Sequence, residues 1–336
     1  MHRDDQLYGA RSAIQKGIRR GDLDLVHTCF NLLWSEKTHR QWLWWRVTTL
    51  VTEEAWQFCG ELGKLLDSKT KEERDWRQFL YRLCLATKNK DGMGLWFYLK
   101  YGGDDLEILG HPEFEEIQFW RNLAEEEGDE SYLCVADSMV DTYRRKDRKL
   151  DEYEESALMA LHRRTKMGGM MGDRQICLST MTLVYHRGLN AEEILLDVRA
   201  NAVKWKEKNG RNNPVDVDIP WYAFDKHTQA GKIAFSIFMK NTAQKRKVTA
   251  DEFWSAWYFL ESCKMPKEIW RAVKANSETP LGIFDCGWWL PFVNIKLAQD
   301  SSRGRGPKQL AHLWHSHLRD DIKGAVFWIL GKRDKG

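Results

Sequence analysis

Residues 10 to 35, ARSAIQKGIRRGDLDLVHTCFNLLWS, decide the fold class. Ala13, Ile14 and Ile18 fall on one face of a helix, the pattern breaks at Gly21-Asp22, and Leu25, Val26, Cys29, Phe30, Leu33 and Trp34 resume it. Two helices joined by a tight turn follow. Gly21 suits the left-handed position just past a helix end, and Asp22 suits the N-cap of the next helix.

The same periodicity continues outward through HRQWLWWRVTTLVTEEAWQFCGEL (39–62) and KEERDWRQFLYRLCLATKN (71–89), each bounded by polar or glycine-containing breaks. Strand-type alternation is nearly absent and only seven prolines interrupt the chain, so an all-α, multi-helix bundle with additional C-terminal helices is expected. Turn-rich stretches at 100–116, 207–220 and 299–309 read as connections. They suggest a helical region over 1–105, a second over 106–298, and a basic linker with a terminal helix over 299–336. The highly charged helical stretch between the first two connections reads as a solvated face.

Composition narrows the function. A chain of 336 residues with 43% hydrophobic content can bury a large core, and its 17 tryptophans, about threefold ordinary usage, predict aromatic cores or interfaces. A net charge of +3 makes whole-molecule attraction of nucleic acid weak, so any such contact needs a local patch. Seven scattered cysteines without a CxxC pair read as buried free thiols, and no structural zinc site or other cofactor is expected. With neither a signal-peptide core nor a run of 18 apolar residues, a cytoplasmic protein without membrane association is expected.

The octet DKHTQAGK (225–232) ends in the Gly-Lys pair of a phosphate-binding loop. A Walker loop needs glycine where Lys226 stands and a hydroxyl where Ile233 stands, so the octet is not one. Asp225, His227 and Lys232 remain a conceivable acid/base set, although residues two apart on a helix do not face each other. The structural alternative has Asp225 capping a helix, His227 and Thr228 satisfying polar groups at its start, and Gly231 permitting close packing. A third reading places a phosphate oxygen at that helix start, held by His227 and Lys232.

SAIQKGIRRGDLDLVHTCFNLLW, WLWWRVTTLVTEEAW and FLYRLCLATKNKD, in that order, resemble the C-terminal helical region of the MgsA/RarA family of replication-associated AAA+ ATPases. Ser12, Lys16, Arg19 and Asp22 match the opening of that pattern; Arg46, Thr52 and Glu53, with Glu54 in place of Asp, match its second block. Lys88 and Asn89 match the third, where Thr87 stands for Pro and Asn89 for Ser. Asp225, His227, Thr228, Gly231 and Lys232 also resemble an Asp-x-His-Thr-x-x-Gly-Lys element of stand-alone proteins that carry this region without its ATPase. The resemblance implies a clamp-loader-collar-like bundle, homo-oligomerisation, and a place beside forked or single-stranded DNA or a replication protein. It implies no catalytic residues.

Basic clusters supply the DNA-contact candidates. Lys226, His227 and Lys232 lie in the octet; Lys245, Arg246 and Lys247 lie in KNTAQKRK; Arg303, Arg305 and Lys308 lie on a glycine-interrupted strip that can follow a phosphate backbone. In WLWWR, Trp42 and Trp45 share a helical face and form a buried seam, which leaves Trp44 to face a partner. His312, His315 and His317, near Asp320 and Asp321, match no strong metal-binding spacing. The expectation is a non-enzymatic accessory factor of DNA replication, recombination or repair. The alternatives are an enzyme acting on a nucleotide or nucleic acid through Asp225, His227 and Lys232, and a protein-interaction scaffold for an ATPase partner.

Overall fold

The computed structural model describes residues 3–68, 72–89, 92, 150–166, 176–177, 180–181, 183–184, 188–225, 227–243, 247–262 and 307–331. The region boundaries expected near 105 and 298 lie outside these residues.

The described chain is all-α. Its helices are α1 (Arg3–Arg20), α2 (Leu23–Trp34), α3 (Lys37–Glu54), α4 (Cys59–Asp67), α5 (Glu73–Leu85), α6 (Glu152–Lys166), α7 (Ala191–Asn209), α8 (Gln229–Phe238), α9 (Ala250–Ser255), α10 (Pro307–Leu313) and α11 (Arg319–Ile329). Wider π-helical turns extend α8 and α9 and join α10 to α11. Among the described residues no strand forms; Ala55 and Asn89 make an isolated parallel bridge. No helix among them is long and apolar enough to cross a membrane.

The opening hairpin forms as its sequence suggests. Gly21 takes φ +66°, and the amides of Gly21 and Asp22 reach back to the carbonyls of Ile18 (3.2 Å) and Gly17 (2.9 Å), closing α1 with a Schellman turn. Asp22 Oδ1 then accepts the Leu25 amide at 3.1 Å and starts α2. A Cβ on Gly17 would lie 2.9 Å from Val26 Cγ2, so glycine is what lets the two helices approach.

The buried apolar residues form a core running from Ala10 to Leu330. Tryptophans build two of its nodes. Trp34, Trp44 and Trp76 follow one another at ring separations of 6.3 and 6.2 Å, and Phe235, Phe253, Trp254, Trp257 and Trp314 form a second group. The first node corrects the expectation for WLWWR: Trp44 packs inward on the core and Trp45 is the exposed member, at 48%. The helix is turned so that Leu43 and Val47 face the core, which brings Trp44 toward Trp34 and Trp76 and leaves Trp45 outside.

Cys29, Cys59, Cys84 and Cys177 are free and buried. Burial, ahead of the opposing charge of Lys88, pushes the Cys84 thiol up to about 12, so it is inert at neutral pH.

Candidate functional site: a buried ionic latch and the histidine it presents

The octet meets the opening helix. One stripe of α1, made by Gly9, Ser12, Lys16 and Arg20, repeats every three to four residues and therefore faces one direction. Against it lies the segment Trp221 to Asp225. The ring of Phe224 fits over Gly9, where a Cβ would come within 2.5 Å of it. The guanidinium of Arg20 sits 3.6 Å from the centre of the Tyr222 ring, a cation–π contact. On the far side Arg319 pairs with Glu261 (Nε to Oε2, 2.9 Å) and lies over Trp221 at 5.5 Å.

At the centre of this contact is an ion pair with almost no water around it. Lys16 Nζ lies 2.7 Å from Asp225 Oδ2, and Lys16 and Asp225 are only 4% and 2% exposed. Lys16 also donates to Ser12 Oγ (2.8 Å) and to the Ala223 carbonyl (3.2 Å). A buried charge survives when it is paired and its remaining protons have acceptors, and both conditions hold here. Burial alone would raise the Asp225 carboxyl, but the Lys16 ammonium and the contacts of His227 outweigh it and hold the carboxyl well below the usual carboxylate range.

Asp225 does more than balance Lys16. Its Oδ1 accepts both the His227 amide and the His227 ring Nδ1, each at 3.0 Å. Two sequence expectations are thereby corrected. Asp225 and His227 do meet, because they stand in a turn before α8, where residues two apart fold back on each other. The helix cap is Thr228: its Oγ1 accepts the Gly231 amide at 3.1 Å and donates to the Asp225 carbonyl at 2.9 Å. Gly231 performs the close packing expected of it, since a Cβ there would fall 2.0 Å from the Asp225 carbonyl oxygen.

The amides of His227, Thr228 and Gly231 are thus committed to groups inside the octet. The Asp225 carboxylate, which accepts the His227 amide, is already the anion of this turn. The octet works as a latch that locks onto α1.

A second buried pair extends the network. Arg19 Nε donates to Glu54 Oε1 at 2.7 Å, with exposures of 6% and 0%. The Glu54 carbonyl accepts the Asn89 amide at 2.8 Å. Beside it Lys88, fully buried, donates to the carbonyls of Leu83 (2.8 Å), Cys84 (2.9 Å) and Ala86 (2.7 Å), capping the C-terminal end of α5 with a cation where the helix dipole favours one. From α7, Asp197 accepts the Thr87 amide at 2.8 Å and Asn201 donates to the Leu85 carbonyl at 2.8 Å, so the 85–89 turn is held from both sides.

The proposed DNA contacts are scattered by comparison. His227 is exposed, with its ring 5.9 Å from that of Tyr258; Lys232 and Lys247 are also exposed, Lys247 at a left-handed φ of 53°. Lys226, Lys245, Arg246, Arg303 and Arg305 lie outside the described residues, and the backbone of Lys308 lies in α10. His312, His315 and His317 are exposed, and the described residues contain no group of three or more potential metal ligands.

Sequence reasoning did not single out the Lys16–Asp225 and Arg19–Glu54 pairs. The signal was present as cations at Lys16 and Arg19 on a helix whose neighbouring positions are otherwise core. Compared with known proteins, the chain matches no protein-family model, no curated protein and no solved structure.

Proposed function

We propose that the protein is a non-enzymatic accessory factor of DNA replication, recombination or repair, a collar-like helical body that oligomerises and binds DNA or a replication protein. The resemblance to the MgsA/RarA helical region suggests this reading. What supports it is that residues carrying the resemblance pair inside the fold: Lys16 with Asp225, Arg19 with Glu54, and Lys88 with the end of α5. Charges that a catalytic centre would turn toward a substrate are closed off by one another, whereas Lys232 and Lys247 face solvent.

Fluorescence anisotropy of labelled single-stranded and forked DNA across a salt series tests this. The expected result is binding whose logarithm falls linearly with the logarithm of salt, with a shallower slope in a variant carrying Arg303→Ala, Arg305→Ala and Lys308→Ala. No binding to either DNA at low salt would overturn DNA contact and leave the scaffold for an ATPase partner as the better reading.

One observation favours a second reading. In its neutral form, with Nδ1 donating to Asp225, the His227 ring presents the Nε2 lone pair, and the side chain is 58% exposed. That arrangement suits a general base acting on a nucleotide or nucleic acid, with Lys232 nearby in sequence. Incubation of labelled DNA and RNA with wild type and His227→Ala decides it: cleavage that the substitution abolishes supports the enzyme, and intact strands in both overturn it.

A further inference from the structure

The outward face of α1 carries an arrangement that the latch does not use. Tyr8, Arg11 and Gln15 lie along it, and His39, Trp42 and Arg46 of α3 stand opposite. The Arg11 guanidinium sits between two rings, 5.1 Å from the centre of Tyr8 and 4.9 Å from that of Trp42. Its Nε donates to His39 Nδ1 at 3.1 Å, and the His39 ring meets Tyr8 edge-on at 5.6 Å.

The histidine contact fixes the guanidinium. Burial first, then the Arg11 charge, lower the His39 pKa against the pull of Glu36 and Asp4, so the ring is neutral at physiological pH and its Nδ1 remains an acceptor. Among the described residues the terminal amino groups of Arg11 make no hydrogen bond. Among the described residues no carboxylate pairs with Arg11: Glu36 is engaged by Arg3, and Glu53 lies 3.5 Å from Arg46. Asp4 and Asp5, in the first turn of α1, are the nearest acids along that helix.

An arginine that no described carboxylate pairs with directly, whose orientation is fixed and whose flanks are aromatic suits an anion that also brings flat rings. Guanidinium binds phosphate oxygens through its parallel N–H groups, and exposed aromatic side chains stack on bases. Tyr8 is 55% exposed and Trp45, on the adjoining side of α3, 48%. Lys37 and Arg40 add positive charge on the first turn of α3. An acidic peptide would satisfy the cation but has no use for the exposed ring faces, whereas a single strand supplies phosphate and base together.

We propose that this α1–α3 face binds single-stranded DNA, with Arg11 holding a backbone phosphate and Tyr8 and Trp45 stacking on bases. The proposal rests on the DNA-binding reading above and locates its contact.

Anisotropy of a labelled oligo-dT strand tests it with Tyr8→Ala, Trp45→Ala and Arg11→Gln, each checked for an unchanged melting temperature. The two aromatic variants are expected to weaken binding about tenfold each at constant salt slope, and Arg11→Gln to lower the slope by about one. A strand carrying 5-bromodeoxyuridine should cross-link on irradiation to residues 3–20 or 37–54. Wild-type binding that all three variants retain within about twofold, with cross-links only elsewhere, would overturn this site and leave the DNA-binding reading standing. Absence of binding to the strand at low salt would overturn both, and binding of labelled poly-glutamate in its place would assign the face to an acidic protein partner.

Discussion

The two long faces of α1 handle charge differently, although Ala10, Ala13, Ile14 and Ile18 are buried as in any amphipathic helix. Its inward stripe contains Ser12, Lys16 and Arg19, polar or charged residues that are almost fully buried, while its outward stripe exposes Tyr8 over half its surface. An ordinary amphipathic helix places the apolar side chains inward. The inward charges are tolerated because each meets a partner from a distant part of the chain: Lys16 finds Asp225 and Arg19 finds Glu54. Buried pairs of this kind fix register, because a mispaired charge in the core is far more costly than a mispaired leucine. The outward face has no comparable closure, which is why recognition is assigned there.

The sharpest way to break the contrast is to orphan one buried charge. Lys16→Met or Asp225→Ala should destabilise the fold by about 3–5 kcal/mol, read as a large fall in melting temperature, since the surviving partner is left desolvated and unpaired. A loss below about 1 kcal/mol would show that water reaches the pair. Next comes Gly231→Ala, expected to cost about 1–3 kcal/mol because the new methyl meets backbone rather than a movable side chain. Thr228→Ala, which removes the cap of α8 and the hydroxyl's bond to the Asp225 carbonyl, should cost about 1–2 kcal/mol.

Acid sharpens the comparison further. The folded-state pKa of Asp225 lies below its unfolded value, so its contribution is complete above that value, about 3.9, and is lost as pH falls through the folded one. Asp22 and Glu61, raised by burial, run the opposite way. The informative quantity is therefore the stability gap between wild type and Asp225→Asn, which should be constant near neutrality and narrow below about pH 4. At the other extreme, Tyr8→Ala and Trp45→Ala on the outward face should change stability by no more than about 0.5 kcal/mol while altering strand binding.

Much of the helical plan was legible because it is local. The hairpin at Gly21-Asp22 follows from a left-handed glycine and a capping aspartate, both visible in sequence. The inward role of Trp44 was not legible. Spacing shows that Trp42 and Trp45 share a face but cannot say which face the rest of the chain covers, and Trp34 and Trp76, on two other helices, decide it. The octet was half legible. Its glycine announced a close approach, but the partner of Asp225 lies more than two hundred positions away, and no local rule pairs it with Lys16. Assuming a helix across Asp225 and His227 also hid their contact, which exists because the segment is a turn.

A double-mutant cycle on Lys16 and Asp225 tests the latch most directly. Lys16→Met, Asp225→Leu and the double variant are unfolded in urea beside the wild type. If these side chains hold α1 to the octet as a buried pair, the double variant will be more stable than the summed single losses imply, with a coupling above about 1 kcal/mol. Strictly additive losses would mean that the two residues act independently, and the latch would be contradicted.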